Sequence, residues 1–323
     1  MSKIRVGVLR GGPSSEYEVS LKTGAYVLKT LPEKYEPVDI FIDRTGLWHR
    51  HGIPTDPGRV LKSFDVVFNA LHGEYGEDGK VQSILDSHNI PYTGSGTFSS
   101  VLAMNKVATK KALLRAGGVK TPHFTVLVKG ETDEKKFHEV FRKMPLPLVV
   151  KPRSLGSSVG VSIVRSFSEL ISAVEKVFEK SDATLIEEYI QGKEATCGVI
   201  DGFRGSEFYT LPPIEIIPPA DRKFFDYEAK YGGASSEICP GNFSGGEKEE
   251  LSRLASYVHR TLGLRHYSRS DFIVHPRRGI YFLEVNTLPG LTSESLVPKA
   301  LLAVGASGEQ FLDHILSLAL GKS

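Results

Sequence analysis

The chain opens with short apolar runs that alternate with amphipathic stretches. Residues 4–9 (IRVGVL) have the continuous apolar character of a buried strand, and similar runs occupy residues 38–42 and 65–71. A Gly-Gly-Pro break follows the first run, and a helix is predicted from Glu16 to about Leu31. Strands that alternate with helices predict a parallel, doubly wound α/β sheet.

We place this sheet in a first domain at residues 1–104. The dipeptide His72-Gly73 follows the third apolar run. Binding sites in open parallel sheets cluster at the carboxyl ends of the strands, so His72 is a candidate site residue.

A second domain is predicted at residues 105–190. Its pattern predicts, in order, a helix at Lys106–Ala116, a strand at 147–151, a small-residue loop at Gly156–Gly160, a strand VSIV, a helix with Ser166 and Glu169 as its capping box, and a strand at 184–190.

The third domain, residues 191–323, begins with an unusual segment. Residues 212–246 are rich in Pro, Gly and Ser, and we read most of them as a long loop, a kind of segment that is usually functional or disordered. A helix at 247–262 ended by Gly263, two strands, and a closing helix capped by Ser307 and Gln310 are predicted after it.

Composition excludes several classes of protein. The 40 basic and 38 acidic residues leave a formal charge of +2, so no global excess calls for nucleic acid. The two cysteines make no disulfide framework, and no run approaches the roughly 18 apolar residues of a membrane helix. We expect a cytoplasmic protein without nucleic-acid or membrane partners.

The most informative segment is an acidic hairpin. If the two strands at 271–286 are symmetric about the turn at Pro276–Gly279, His275 faces Ile280 and Asp271 lies opposite Glu284. Asn286 then shares their face. Two opposed carboxylates and an amide oxygen suit Mg²⁺, although a solvated acidic face or pairing with Arg269 is the plainer alternative.

The loop Gly156–Gly160 is a candidate phosphate site. Its glycines let the backbone approach a phosphate, Ser157 and Ser158 add donors, and Lys151 ends the preceding strand. It is neither a Walker A sequence nor a dinucleotide turn, and Gly/Ser loops are usually plain turns. Lys106 and Lys230 are further cations, each of which alone would be read as a solvated lysine.

Together these segments resemble the D-alanine–D-alanine ligase family of the ATP-grasp superfamily. The resemblance runs almost end to end and is carried by GGPSSEYEVS (11–20), LHGEYGEDG (71–79), KPRSLGSSVGVS (151–162), FFDYEAKY (224–231), SRSDF (268–272) and FLEVNTLPGLTSESLVPKA (282–300). It implies a three-domain ATP-grasp fold with a Rossmann-like N-terminal domain, and a homodimer.

The resemblance also implies a role for each matching residue. For ATP, the implied contacts are Lys106, Lys151, Lys230, Ser157, Ser158, Phe224, Glu187, Glu188, Ile190, Glu194 and Glu284. Two Mg²⁺ ions, or Mn²⁺ in their place, would bind Asp271, Glu284 and Asn286. The implied substrate and catalytic residues are Glu16, His72, Ser157, Tyr231, Arg269, Gly290, Ser295 and Leu296.

The implied reaction joins two D-alanine molecules through an acylphosphate. The segment Phe224–Gly233 is the candidate lid, and Tyr231 within it favours an amine acceptor. A D-alanine–D-serine ligase and a nucleotide-binding module without catalysis remain as alternatives. Two departures from the family pattern, Arg153-Ser154 and Asn105, lie beside the implied phosphate contacts.

Overall fold

The computed structural model describes residues 3–154, 160–218 and 236–321. The strands are β1 (Ile4–Gly11), β2 (Tyr35–Ile42), β3 (Trp48–Arg50), β4 (Ile53–Pro54), β5 (Val66–Asn69), β6 (Phe124–Val128), β7 (Leu148–Pro152), β8 (Ser162–Val164), β9 (Ala183–Glu188), β10 (Lys193–Asp201), β11 (Phe208–Thr210), β12 (Ile214–Ile217), β13 (Ser236–Ile238), β14 (Tyr267–His275) and β15 (Gly279–Asn286).

The helices are α1 (Tyr17–Thr30), α2 (Pro57–Leu61), α3 (Lys80–Ser87), α4 (Thr97–Met104), α5 (Lys106–Ala116), α6 (Glu134–Lys143), α7 (Phe167–Phe178), α8 (Gly245–Thr261), α9 (Leu296–Ala303) and α10 (Gly308–Ala319), with a 3-10 turn at Phe203–Gly205. In the described part of the chain, no helix combines the length and apolar character needed to cross a bilayer.

The N-terminal sheet has the order β4-β3-β2-β1-β5, and β1 pairs in parallel with both β2 and β5. The predicted parallel α/β sheet is therefore confirmed, with β3 and β4 added as an antiparallel edge. Val6 and Val8 of β1 and Val66 and Phe68 of β5 are fully buried, which is typical of parallel strands covered on both faces.

Two antiparallel sheets follow. The smaller has the order β6-β9-β7-β8, and α7 buries Leu170, Val174 and Val177 against it. Ser166 caps α7, but the Glu169 carboxylate accepts from the backbone N–H of Arg165 instead of closing the predicted capping box.

The larger sheet has the order β13-β12-β10-β14-β15, and β11 also pairs with β10. Helices α5 and α8 pack on it through Leu113, Leu251 and Leu254. The prediction of one long loop at 212–246 was wrong at its ends, because Ile214–Ile217 and Ser236–Ile238 extend this sheet. Residues 219–235 between them lie outside the described part of the chain.

Candidate active site

The opposed acids of the hairpin are confirmed, but by a different route from the predicted one. His275 pairs with Gly279, so the predicted pairing with Ile280 was wrong by one residue. A β-bulge between Asp271 and Phe272 then leaves Leu283 as an extra residue and restores the pairing of Asp271 with Glu284. If the strand continued without the bulge, Glu284 would pair with Ser270 and point to the other face of the sheet.

Each acid of the pair has a cationic neighbour. Arg269 donates a fork to Asp271, with Nε and Nη2 at 3.0 and 3.1 Å from its two oxygens, and the Thr196 hydroxyl donates at 2.6 Å. The Lys106 ammonium lies 3.1 Å from Glu284. The plainer expectation for Arg269, a partner for Asp271, is therefore confirmed.

The donor set at the hairpin fits a hard divalent cation. Asp271, Glu284 and Asn286 offer only oxygen, and few protein ligands leave positions free for phosphate oxygens. Among the described residues, no three His, Cys, Asp or Glu side chains converge on a metal position. The amide oxygen of Asn286, which accepts the backbone N–H of Leu288 at 3.0 Å, and ligands from the substrate would have to complete the shell.

A cavity of about 410 Å³ lies between the two antiparallel sheets, in front of these acids. Its volume is in the range of small-molecule sites. The charged residues that line it are Lys106, Lys151, Lys193, Glu187, Glu188, Glu194, Glu215, Asp271 and Glu284. Three basic residues outside this lining, Lys110, Arg269 and Arg278, pair with three of these carboxylates, so basic groups balance the acids that border the cavity.

A buried cluster of three charges forms part of the cavity wall: Glu187 and Lys151 line the cavity, and Lys110 lies behind them. Glu187, only 2% exposed, binds the Lys110 ammonium at 2.8 Å through Oε1 and the Lys151 ammonium at 2.6 Å through Oε2. Burial alone would raise the pKa of Glu187, but the two ammonium groups outweigh it and lower that pKa. Burial lowers the pKa of Lys110 to about 8.

Sequence reasoning missed Lys110. The signal was present, because Lys110 follows Lys106 by four residues and so shares a face of α5 with it. A fully buried lysine without a partner is too costly to occur, but the sequence did not reveal that Glu187 would lie opposite.

The other predicted nucleotide residues within the described part of the chain also border the cavity. Glu188 accepts from the backbone N–H of His123 at 3.0 Å and from the Arg278 guanidinium. Ile190 is buried beside Ile273, and Glu194 lies on β10. The structure therefore brings Glu187, Glu188, Ile190 and Glu194 to one cavity.

Glu16 lies at the junction between the N-terminal sheet and the rest of the molecule. It occupies the N-cap position of α1, yet its side chain makes no capping hydrogen bond and is buried. A Cβ atom on Gly73 would lie 3.2 Å from its Oε1. Glu16 therefore begins α1 without capping it through its side chain, and its carboxylate lies beside Gly73.

His72 holds the turn that follows β15. Its Nδ1 donates to the carbonyl of Leu288 at 2.7 Å, which makes Nε2 the acceptor for the Thr23 hydroxyl at 2.8 Å. Thr23 in turn accepts from the backbone N–H of Leu291. Burial lowers the pKa of His72 to about 4, so the ring is neutral at physiological pH. Its predicted contact with substrate stays a prediction.

Glu77, a second residue that sequence reasoning missed, joins the same two parts of the chain. Its Oε1 accepts the backbone N–H groups of Thr287 and Leu288 and the Thr287 hydroxyl, and its Oε2 accepts from Gly73. Burial, followed by the charge of Glu16, raises its pKa to about 7. The motif LHGEYGEDG offered a signal, since an acid five residues after His72 lies within the same turn.

Gly290 and Ser295 lie against each other in the turn that leads into α9. The Ser295 hydroxyl accepts from the backbone N–H of Thr292 at 3.1 Å, and it makes no capping hydrogen bond to α9. A Cβ atom on Gly290 would lie 2.8 Å from that hydroxyl. Leu296, the first residue of α9, is buried.

Comparison with known proteins shows the family to which the chain belongs. The family model "D-ala D-ala ligase C-terminus" matches residues 113–317, and "D-ala D-ala ligase N-terminus" matches residues 5–56 and 50–95. The chain belongs to the D-alanine–D-alanine ligase family. A D-alanine–D-alanine ligase of Syntrophobacter fumaroxidans is 40% identical over 98% of this chain and 98% of its own length.

Solved structures of the D-alanine–D-alanine ligase family superpose on the whole chain. The enzyme of Bacillus anthracis complexed with ATP is 36% identical, with a TM-score of 0.81 and 98% of each chain covered. The VanG D-Ala:D-Ser ligase of Enterococcus faecalis is 30% identical, with a TM-score of 0.87 over 98% of this chain and 99% of the other. The three-domain ATP-grasp fold is thereby confirmed.

Some of the residues that the D-alanine–D-alanine ligase family implicates lie outside the described part of the chain. They are Ser157, Ser158, Phe224, Lys230 and Tyr231, and their roles stay predictions.

The two departures from the family pattern have local partners. Asn105 caps α5 by accepting from the backbone N–H of Ala108, and Arg153 forms an ion pair with Asp182 at the surface. Neither departure occupies a position where it contacts the cavity acids.

Proposed function

We propose that this chain is an ATP-dependent ligase that joins two D-alanine molecules into D-alanyl-D-alanine, for the synthesis of peptidoglycan precursors. The observation that supports it most is the pairing of Asp271 with Glu284 beside Lys106, in a cavity of suitable size, within a chain that matches the family along its whole length. The cavity accepts ATP, and the junction at Glu16 accepts D-alanine.

In the first step, the carboxylate of one D-alanine attacks the γ-phosphorus of ATP, so that D-alanyl phosphate and ADP are formed. Lys106, Lys151 and Lys230 contact the phosphates. Asp271, Glu284 and Asn286 would hold two Mg²⁺ ions, which would supply positive charge to neutralise the phosphates. The all-oxygen donor set of the hairpin supports this assignment, because hard divalent cations prefer oxygen ligands.

The nucleoside lies along the end of β9. Backbone groups at 188–190 and the Glu187 carboxylate hold the adenine, and Glu194 binds the ribose. Ser157, Ser158 and Phe224 complete the ATP site. Glu187 is well suited to this role because its two ammonium partners keep the carboxylate ionised and fix its direction.

In the second step, the amine of the second D-alanine attacks the acyl carbon, and the tetrahedral intermediate expels phosphate. Arg269 and the backbone N–H of Gly290 stabilise the oxyanion. Ser295 and Leu296, with Arg269, bind the carboxylate of the second D-alanine. Glu16 binds the ammonium of the first, in a network with Ser157 and Tyr231, and His72 contacts this substrate.

Three features of the whole molecule belong to the same proposal. The domain boundaries fall near residues 104 and 190, the protein acts as a homodimer, and it works in the cytoplasm. Sedimentation velocity tests the homodimer directly: a single species of about twice the chain's 35.5 kDa is expected.

D-Serine is the second candidate acceptor. The similarity to a D-Ala:D-Ser ligase covers the whole chain, so the fold is compatible with either activity. In the part of the chain that the structure describes, the residues proposed for the second substrate contact its carboxylate or the reacting carbonyl, so they do not discriminate between the two side chains. These residues are Arg269, Gly290, Ser295 and Leu296.

The decisive experiment measures ADP release and dipeptide formation with Mg-ATP and D-alanine, with D-alanine plus D-serine, and with L-alanine. D-Alanine alone should give one dipeptide per ADP, and L-alanine none. Glu284→Ala should lower kcat by at least about a hundredfold. Glu175→Ala, which removes an exposed acid on α7, is the matched control. Full turnover by Glu284→Ala would exclude the metal role.

A further inference from the structure

We infer that Lys110 is a positioning residue for ATP binding: it serves as the permanent counter-ion of Glu187 and thereby leaves Lys151 able to contact the nucleotide. The inference rests on the proposed function, in which Lys151 binds a phosphate and Glu187 the adenine. No substrate contact is assigned to Lys110 itself, because it does not line the cavity and is fully buried behind it.

The geometry separates the two lysines by access. Lys151 lines the cavity, whereas Lys110 projects from α5 into the space between the helix and β15, where its ammonium also lies 3.4 Å from the carbonyl oxygen of Phe282. Lys151 can therefore turn towards an incoming phosphate, and Lys110 cannot. One oxygen of Glu187 therefore binds Lys151, which can move towards the nucleotide, and the other binds Lys110, which cannot.

Charge explains why a second lysine is needed. A carboxylate buried as deeply as Glu187 is costly without an opposite charge. If Lys151 were its only partner, each nucleotide that drew Lys151 away would leave a buried, unpaired anion in the cavity wall. Lys110 removes this conflict because Glu187 keeps one ion pair in both states. The helix supplies the two cations four residues apart, so Lys106 faces the hairpin acids while Lys110 faces Glu187.

The experiment is a double-mutant cycle on the full-length protein with Lys110→Met, Glu187→Gln and the combination of both. Lys111→Met, an exposed neighbour on the same helix, is the matched control. For each variant, calorimetry gives the Kd of the non-hydrolysable analogue AMP-PNP with Mg²⁺, and steady-state assays give kcat and the KM values for ATP and D-alanine. Thermal unfolding reports whether each variant is folded.

Lys110→Met should weaken AMP-PNP binding by about tenfold or more, because Glu187 then competes with the phosphates for Lys151. The KM for ATP should rise in parallel, while the KM for D-alanine changes less than about twofold, a split that a merely structural role would not produce. When Glu187→Gln is already present, adding Lys110→Met should alter the Kd by less than about twofold, because no buried anion remains to be neutralised.

Additive effects in the cycle, or equal losses in the KM values for ATP and D-alanine, would overturn the inference. If Lys110→Met alone does not fold, the comparison of Glu187→Gln with the double variant still decides, since a weaker Kd on loss of Lys110 there would show that it acts through something other than Glu187. AMP-PNP binding needs no D-alanine, so a failure of the proposed ligation would appear separately, as wild-type protein that binds the analogue but forms no dipeptide.

Discussion

At the scale of single residues, the proposed site for the second substrate contains a close approach between Gly290 and Ser295. An alanine methyl group at position 290 would meet the Ser295 hydroxyl at 2.8 Å, and that hydroxyl is fixed by Thr292. We expect Gly290→Ala to lower kcat/KM for D-alanine by about ten- to a hundredfold, with an unchanged Kd for AMP-PNP, because the displaced atoms orient the acceptor.

Gly246→Ala is the matched control for that substitution. A Cβ atom at Gly246 meets nothing within 4 Å, and the position lies in the first turn of α8, so the control should keep full activity and gain a little stability. Steady-state kinetics with D-alanine as the varied substrate check both variants. Wild-type kinetics for Gly290→Ala would contradict the prediction, because they would show that the turn accommodates the methyl group without loss of activity.

A second residue-scale prediction concerns pH and His72. Because the pKa of His72 is lowered to about 4, the unfolded chain binds a proton below about pH 6.5 that the folded protein does not. The free energy of unfolding should therefore fall as pH decreases from about 6.5 to 4, and His72→Gln should remove about 1 kcal/mol of that loss per pH unit.

Urea titrations at several pH values between about 4.5 and 7 measure this difference. His123→Gln, which replaces an exposed histidine, is the control and should keep the wild-type slope. Parallel stability curves for wild type and His72→Gln would contradict the assignment of a neutral buried imidazole.

At the scale of elements, local chemistry shows what could be predicted from the sequence. The helix at Lys106–Ala116 was predicted with the bounds observed, because Asn105 caps its start and two glycines follow its end. The acid pair was predicted for the wrong register: the turn is one residue tighter and the bulge at Leu283 compensates. A bulge depends on how a strand packs against its neighbours, which periodicity does not encode.

The strands and residues that were not predicted depend on pairing between distant parts of the chain. Strands β12 and β13 flank the segment at 219–235 and pair across it, so their sequence, rich in Pro and Gly nearby, resembles a loop. Lys110 and Glu77 were missed for the same reason: the partner that explains each buried charge is distant in the chain, Glu187 for the first and Thr287 for the second.

Helix α8 offers an element-scale prediction. Ser244 and Glu247 form a complete capping box at its start, in which each side chain accepts the other residue's backbone N–H. Ser244→Ala should lower the free energy of unfolding by about 1 kcal/mol, since α8 covers the large sheet that carries the hairpin acids. Urea unfolding measures it, with the exposed Ser172→Ala in α7 as control. A change no larger than that of the control would show that water replaces the cap.

At the scale of the whole molecule, the proposed metal site makes nucleotide binding depend on divalent cations. We expect AMP-PNP to stabilise the protein by about 2.7 kcal/mol at a hundred times its Kd with Mg²⁺ present, and much less in EDTA. The reason is that Asp271 and Glu284 would contact the phosphates through the cation, and without it they face the phosphates as like charges. Thermal unfolding at matched ionic strength makes the comparison, with Na⁺ added as the control salt. Equal stabilisation in EDTA would contradict it.

The contact that Glu77 and His72 make with Leu288 bears on chimeras in which the N-terminal domain is exchanged between related ligases. Both side chains bind the amide and carbonyl of Leu288, and these main-chain groups are the same whatever residue stands there. Side chains make the rest of the joint: Glu77 also binds the Thr287 hydroxyl, and Val27 and Phe68 share one apolar core with Phe311. A chimera whose first hundred residues come from another ligase should therefore stay active only if the donor carries the same glutamate and histidine and apolar side chains of matching size at that core.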